Sequence, residues 1–375
     1  MKADVIVIGA GLVGAAIAYG LASRGIRVLV LDGNDRDYRA SNANGALVWL
    51  QSKGMGLPGY QQFSRTSVDL WPDFSAEINE ATGFDLQNEH NGGLAFCLSE
   101  TEFEQRRALL TRWHDQLGGS KVKPDWEMVG RNALAKLLPN VELGPEVVGA
   151  SYGHRDGQCN SLRLLSALHA GIMRKGGQLR GGAIVSSIQK TGSQDFTVDL
   201  GDERISAARI VIAAGLGSKA LAAQVGLDLA IRPQRGQMLV TERLEQFLPL
   251  PLHGISQTKQ GTVLIGATKE EVGFDASTTS KAVADLSNMA VRSLPGLRGA
   301  KLVRQWAGLR IMTPDSCPIY QESETHPGAF VAVCHSGVTL AAAHAGVLAD
   351  AIAAGRLTPF FDVFHQRRFD VPKAA

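Results

Sequence analysis

"DVIVIGAGLVG", residues 4–14, decides how the rest of the chain is read. Residues 4–8 are an apolar run with no polar face, as a central parallel strand covered on both sides requires. Gly9, Gly11 and Gly14 follow at the spacing G-x-G-x-x-G. A helix is predicted from about Leu12 to Arg24, ended by Gly25, and "IRVLVLD" (26–32) is a second buried strand closing on Asp32. Inside such a βαβ unit the glycine pattern becomes a strong signal for a dinucleotide. The glycines let the backbone touch a pyrophosphate, and the helix N-terminus offers N–H groups and partial positive charge. Asp32 stands 18 residues after Gly14, at a strand tip where a carboxylate takes ribose hydroxyls and disfavours a 2′-phosphate. A glycine-rich turn without a ligand is the competing use of these residues.

The chain of 375 residues is long enough for two domains or one large one. Hydrophobic residues make up 45% and charged residues 20%, as in an ordinary globular protein. A net charge of +2 argues against nucleic acid or an anionic membrane as the main partner. Apolar stretches stop short of the roughly 18–20 residues of a membrane span. The N-terminal stretch has four glycines and Asp4, which argue against a signal peptide. Cys97, Cys159, Cys317 and Cys334 lack CxxC or metal-ligand spacing. They predict a cytoplasmic protein with no iron–sulfur cluster of its own and no metal site.

The fingerprint alone does not separate NAD from FAD. The next segment, "ASNANGALVWLQSKG" (40–54), is rich in small and amide residues. A plain NAD domain would continue with another helix and strand. Here Ser41, Asn44 and Gly45 suit a diphosphate and a flavin edge, although a surface loop is also open on these residues alone.

GAGLVG, Asp32 and ASxxNxxLVW together resemble the FAD-dependent amino-acid oxidoreductases of the D-amino-acid oxidase and glycine oxidase superfamily. Within it, "ASNANGALVWLQSKGMG" is most similar to the β subunits of opine oxidase, D-hydroxyproline dehydrogenase and hydrogen cyanide synthase. Ala46 stands where the family commonly has an aromatic. The resemblance implies an α/β fold: a discontinuous Rossmann-type FAD-binding domain (1–75, 153–225 and 305–375) and an α+β substrate domain with a mixed or antiparallel sheet (76–152 and 226–304). It places cofactor contacts at Gly9, Gly11, Gly14, Asp32, Ser41, Asn44, Gly45, Ala46 and Leu47. Val185, in "GGAIVSSIQK" (181–190, read as a strand), matches a backbone contact to the adenine. Ala214 and Gly215, at the end of "FTVDLGDERISAARIVIAAGLGS", match a further strand-end contact.

Chemistry in this family is hydride transfer from the substrate α-carbon to flavin N5, so no strong protein base is required. "WAGLRIMTPDSCPIY" (306–320) is similar to the family segment that anchors the substrate carboxylate, with Arg310 at its arginine. A guanidinium there can grip a carboxylate through two parallel hydrogen bonds; a structural ion pair is the other use. Ile311 replaces the usual proline and Ser316 the usual glycine. Some relatives tether FAD through a cysteine near here. The matching positions are Leu309 and Arg310, so non-covalent FAD is expected.

"CHSGVTLAAAHAG" (334–346) follows the strand "AFVAV". A helix starting near Gly337 would aim the N–H groups of Gly337, Val338, Thr339 and Leu340 at the pyrimidine edge of the flavin. His335 lies where glycine oxidases place a second polar residue at the substrate, though it could instead cap the turn. His344 is read as core or interface. His253 falls in the strand region where relatives hold substrate.

The expectation is an FAD-dependent dehydrogenase oxidising the C–N bond of an amino acid, a secondary amine such as an opine or D-hydroxyproline. The chain would be the catalytic subunit of a hetero-oligomer whose partner subunits carry a second flavin or an iron–sulfur centre. The rivals are a stand-alone glycine or sarcosine-type oxidase making peroxide, and a non-catalytic FAD electron-relay subunit.

Overall fold

A computed structural model of the chain describes residues 3–33, 40–118, 123–192 and 195–370. The strand Ala3–Ile8 lies inside the main sheet. It pairs in parallel with Val28–Asp32 on one side and Arg204–Ile212 on the other. The sheet continues to Gln178–Gly181 beyond the first neighbour and to Ala329–Val333 and Ile319–Glu322 beyond the second. A hairpin of Ser187–Thr191 and Asp195–Asp199 extends it antiparallel to Arg204–Ile212. Both faces are covered, which is why Val5, Ile6 and Val7 are all fully buried and the strand reads as continuous apolar sequence.

One face carries the helices Leu12–Ser23, Pro58–Thr82, Ser161–Arg174 and the last α-helical stretch among the described residues. That stretch begins at Ala341, not near Gly337, and has a π turn at His344–Leu348. Residues 336–340 fold as tight turns, with Leu340 N donating to Ser336 O (3.0 Å) and Ala341 N to Val338 O (3.1 Å). The cause is tertiary: the Thr339 carbonyl accepts from Ser67 Oγ (2.7 Å) and Trp71 Nε1 (3.1 Å), and its hydroxyl accepts from Trp49 N (3.2 Å).

The strand expected over 181–190 is two strands. Gln178–Gly181 belongs to the parallel sheet and Ser187–Thr191 to the hairpin, and Gly182 turns the chain between them with φ +72°. Val185 therefore lies in an irregular segment beside Asp32, where Ala183 N donates to Asp32 O (2.9 Å).

A second, antiparallel sheet runs in the order Ile255–Gln257, Thr262–Gly266, Arg232–Arg243 and Leu302–Met312. A bridge between Leu94 and Leu252 joins it to the strands Gly93–Cys97, Gly149–Gly153 and Trp126–Gly130. Leu239, Val263 and Ile265 pack against Leu286 and Ala290 of the helix Ser280–Ser293. The opposite face carries Gly236, Met238, Gly308 and Arg310 in register. It turns toward residues 40–48: a Cβ on Gly45 would lie 3.6 Å from Met238 Cε. No helix among the described residues is long and apolar enough to cross a membrane.

Candidate active site

The glycine turn is built for close backbone approach. Gly9 has φ +106°, and an added Cβ would meet Ala213 O at 2.5 Å; at Gly14 it would meet Gly9 O at 2.0 Å. Ala10 N donates to Asp32 Oδ2 (2.8 Å), so the carboxylate sits directly over the turn. Leu12 N donates to Ser41 Oγ (2.9 Å), and a Cβ on Gly11 would stand 3.0 Å from that oxygen. Turn, helix start, Asp32 and Ser41 thus form one cradle that only a backbone without Cβ atoms leaves open. These residues fit the diphosphate and ribose of FAD.

Asn44 braces the next loop. Its Nδ2 donates to Ser41 O (2.7 Å) and its Oδ1 accepts from Ala46 N (2.9 Å), holding Ala46 at φ +61°. Such a left-handed alanine is held against strain of about 1–2 kcal/mol. Leu47 continues into a two-residue strand paired with Gln158. Asn44 and Ala46 also line a cavity of about 340 Å³ whose other wall is Val240, Leu264 and Trp306 of the second sheet. Beside the glycine turn, where a Cβ on Gly9 would lie 2.8 Å from Ala214 Cα, Gly215 follows Ala214 and faces Ile311.

Arg310 rises from Leu302–Met312 onto the sheet face that meets this loop. Its guanidinium lies flat on Gly236: a Cβ there would be 2.5 Å from both Nη atoms. Nη1 donates to Arg235 O (3.2 Å), and no described carboxylate pairs with it. Burial lowers its pKa, and the nearest acid acting on it, Glu270, is taken up by Arg235, Gln237 and Thr268. An arginine held this way is suited to an anion. Ser316 has φ +61°, a left-handed conformation that glycine adopts without a Cβ penalty.

His335 is exposed, yet it sits deep among protein atoms. Both are true of a side chain facing into a cleft. That burial, then Lys53, Arg310 and Lys269, depress its pKa to about 3. Ser336 Oγ accepts from Lys53 Nζ (2.6 Å) and Tyr60 OH (2.9 Å) and lies 3.4 Å from His335 Nδ1. The neutral ring has one nitrogen that donates and one that accepts.

His253 shows the same combination of exposure and depth. It lies in the turn before Ile255–Gln257, not in the strand. Its ring centroid is 5.7 Å from that of Trp49. Burial, Arg106, Lys269 and Lys53 depress its pKa to about 4. Lys53 and Lys269 act electrostatically on both histidines and Arg310 on His335, so these groups lie near one another. His344 does not join them: it is fully buried, with Nε2 2.6 Å from Tyr320 OH.

Lys53 and Arg106 were not evident as site residues from the sequence. Lys53 is the one cation in the small-residue run 40–57, which is the signal that could have marked it. Arg106 sits in the charged helix Glu100–Asp115 and gives no such signal; only the fold aims it inward, where Nε donates to Ser151 Oγ (2.9 Å) and Nη2 to Gln51 Oε1 (3.0 Å). Asp156 anchors the loop by accepting from Leu50 N (2.5 Å) and Gln51 Nε2 (2.6 Å), and burial raises its pKa to about 7. Among the described residues no His, Cys, Asp and Glu cluster could hold a metal ion.

A dinucleotide cradle that faces a second, antiparallel sheet defines an oxidoreductase that works beside a bound redox cofactor. The chain belongs to the FAD dependent oxidoreductase family, whose profile matches residues 4–351. Its cofactor is FAD. The chain is 41% identical over 374 residues to a subunit of the opine oxidase of Agrobacterium tumefaciens (strain Ach5), covering 100% of this chain and 99% of that relative. It is 26% identical over 336 residues to glycine oxidase of Pseudomonas putida, covering 88% of each. The crystal structure of glycine oxidase from Geobacillus kaustophilus superposes with a TM-score of 0.88 at 25% identity, covering 97% of this chain and 98% of that one.

Proposed function

We propose that this chain oxidises the C–N bond of an amino acid, with secondary amines as its preferred class, and that it is the catalytic subunit of a multi-subunit dehydrogenase. FAD, when bound, supplies the two-electron acceptor for the hydride leaving the α-carbon. The observation that carries the reading is Arg310: a guanidinium fixed on Gly236, facing a cofactor loop, with no carboxylate partner among the described residues. Arg310 holds the α-carboxylate through charge-assisted hydrogen bonds and so sets the height of the α-carbon above the sheet. His335 stays neutral, so it orients the substrate by hydrogen bonding without adding a further positive charge. The sheet face closes the other side and excludes water.

Two relatives, at 41% and 39% identity, are each named as a subunit of an opine oxidase, which supports both the amine substrate and partner subunits. Partners carrying a second flavin or an iron–sulfur centre would accept the electrons. FAD is held non-covalently: burial pushes the thiols of Cys317 and Cys334 up to about 12 and about 11, so neither is a ready nucleophile. Four buried, free cysteines support a cytoplasmic location. For the domain division we propose the boundaries given above with two changes. The first crossing falls after Thr82, because Pro58–Thr82 is one helix whose Phe74 and Ile78 share a core with Tyr19 and Leu21. The last crossing falls after Met312, because Leu302–Met312 pairs along its length with Arg232–Arg243.

The test is anaerobic mixing of the purified chain with opines, D-hydroxyproline, D-proline, sarcosine, iminodiacetate and glycine. Bleaching of the flavin band by secondary amines is expected. If none of them bleaches it, the reading fails. Turnover of the assembled complex unchanged by Arg310→Ala would favour the electron-relay role, and fast peroxide formation by the chain alone would favour the oxidase.

A further inference from the structure

The glycine turn is gripped by a side chain from a distant part of the chain. His169 stands on the helix Ser161–Arg174, and its Nε2 lies 2.7 Å from Ala10 O. A carbonyl oxygen only accepts, so Nε2 carries the hydrogen of this bond. The helix that bears His169 is held firmly: Leu164, Ala167 and Leu168 are fully buried, and a Cβ on Gly171 would meet the Tyr19 ring at 2.7 Å. Ala10 is therefore fixed at both of its polar atoms, its N donating to Asp32 Oδ2 (2.8 Å) and its O accepting from His169.

The consequence falls on the next residue. In a planar trans peptide the C=O and the N–H of one unit point in opposite directions. Fixing Ala10 O thus fixes the Gly11 N–H, on the side away from His169. The neighbouring donors are engaged: Gly9 N with Leu31 O (2.8 Å), Ala10 N with Asp32, and Leu12 N with Ser41 Oγ (2.9 Å). The Gly11 N–H has no acceptor among the described residues, and no side chain caps the helix Leu12–Ser23 that starts there. An orphan donor at a helix start calls for an acceptor from outside the helix.

We propose that His169 is a positioning residue for the FAD diphosphate: by holding Ala10 O it aims the Gly11 N–H at a phosphate oxygen. It touches the turn and not the cofactor. Without the imidazole donor the Ala10–Gly11 peptide is free to rotate, and FAD must order it on binding, which weakens the hold on the cofactor. The inference depends on FAD as the cofactor and not on which amine is oxidised.

The test compares FAD-loaded wild type with His169→Phe, which fills the space without a donor, and His169→Gln, whose amide nitrogen stands at the reach of Nε2. Two readings are taken on each holoprotein: the rate of FAD release on dilution, from the rise in flavin fluorescence, and the phosphorus NMR spectrum of the bound diphosphate. His169→Phe should release FAD about tenfold faster, the scale of one hydrogen bond. It should also shift a bound phosphorus resonance while the flavin absorbance band stays in place. His169→Gln should stay within about threefold of wild type in release rate. Faster release from His169→Phe with an unchanged phosphorus spectrum overturns the proposal, because a helix that is merely loosened would behave that way. So does release within about threefold of wild type, or a glutamine variant that loses FAD as fast as the phenylalanine one. If neither variant loads FAD, nitrogen NMR of the histidine-labelled wild-type holoprotein decides: His169 is expected with its hydrogen on Nε2, and a hydrogen on Nδ1 alone overturns the assignment.

Discussion

Gly236→Ala separates the anchor from the fold. The methyl group would stand 2.5 Å from both Nη atoms of Arg310 and 2.6 Å from Cζ. Ordinary contact is about 3.5 Å, so the guanidinium must move by about 1 Å. The displaced atoms are the far end of a flexible side chain, and Gly236 is not among the residues of positive φ. Alanine should therefore cost the fold less than about 1 kcal/mol. The reaction should suffer far more, because an anchor misplaced by about 1 Å lowers the rate about 100-fold, or about 2.7 kcal/mol. Stopped-flow flavin reduction under anaerobic conditions reads the rate, and denaturant unfolding reads the stability. In an Arg310→Ala background the same glycine change should add less than about twofold, since the side chain it displaces is gone. Reduction by Gly236→Ala within about threefold of wild type would refute the placement of Arg310 as the anchor. A full further 100-fold loss in the double variant would do the same.

Other outcomes follow from the same geometry. Gly14→Ala puts a methyl 2.0 Å from a backbone oxygen that cannot give way, so FAD content should fall by more than about tenfold, read as flavin absorbance per chain. His344 is fully buried with a pKa lowered from 6.5 to about 3, so the unfolded chain gains a proton there that the folded chain refuses. Its stabilising contribution is complete above pH 6.5 and falls by about 2 kcal/mol by pH 5; His344→Gln should remove that part of the acid sensitivity in denaturant titrations, and an unchanged pH profile would count against it. Asp156 runs the other way: its folded pKa, raised from 3.8 to about 7, means stability is lost as pH rises through that window. Asp156→Asn should accordingly be more destabilising relative to wild type at pH 5 than at pH 8, and a pH-independent difference would contradict the buried, protonated carboxyl.

What the sequence by itself determined is local and periodic. A strand, a glycine turn, a helix and an acid at a second strand tip lie within thirty-two residues, and their spacing is dictated by backbone geometry that any reader of the chain can reproduce. Arg310 was legible for a similar reason: it sits in a contiguous segment whose neighbours mark it. Where tertiary contacts override local preference, the sequence ran out. The chain at Gly337 looks like a helix start, but Ser67, Trp71 and Trp49 claim Thr339, and regular helix waits until Ala341. The segment around Val185 reads as one strand because its residues suit a strand, yet its two halves answer to different partners. Only the fold decided that Lys53, Arg106, His253, His335 and Arg310, spread over more than 280 positions, lie near enough to act on one another electrostatically. It also decided that the acids around them are already engaged. Charge complementarity is a property of three-dimensional neighbours, and a lysine in a run of small residues carries no mark of which carboxylates the folded chain will withhold from it.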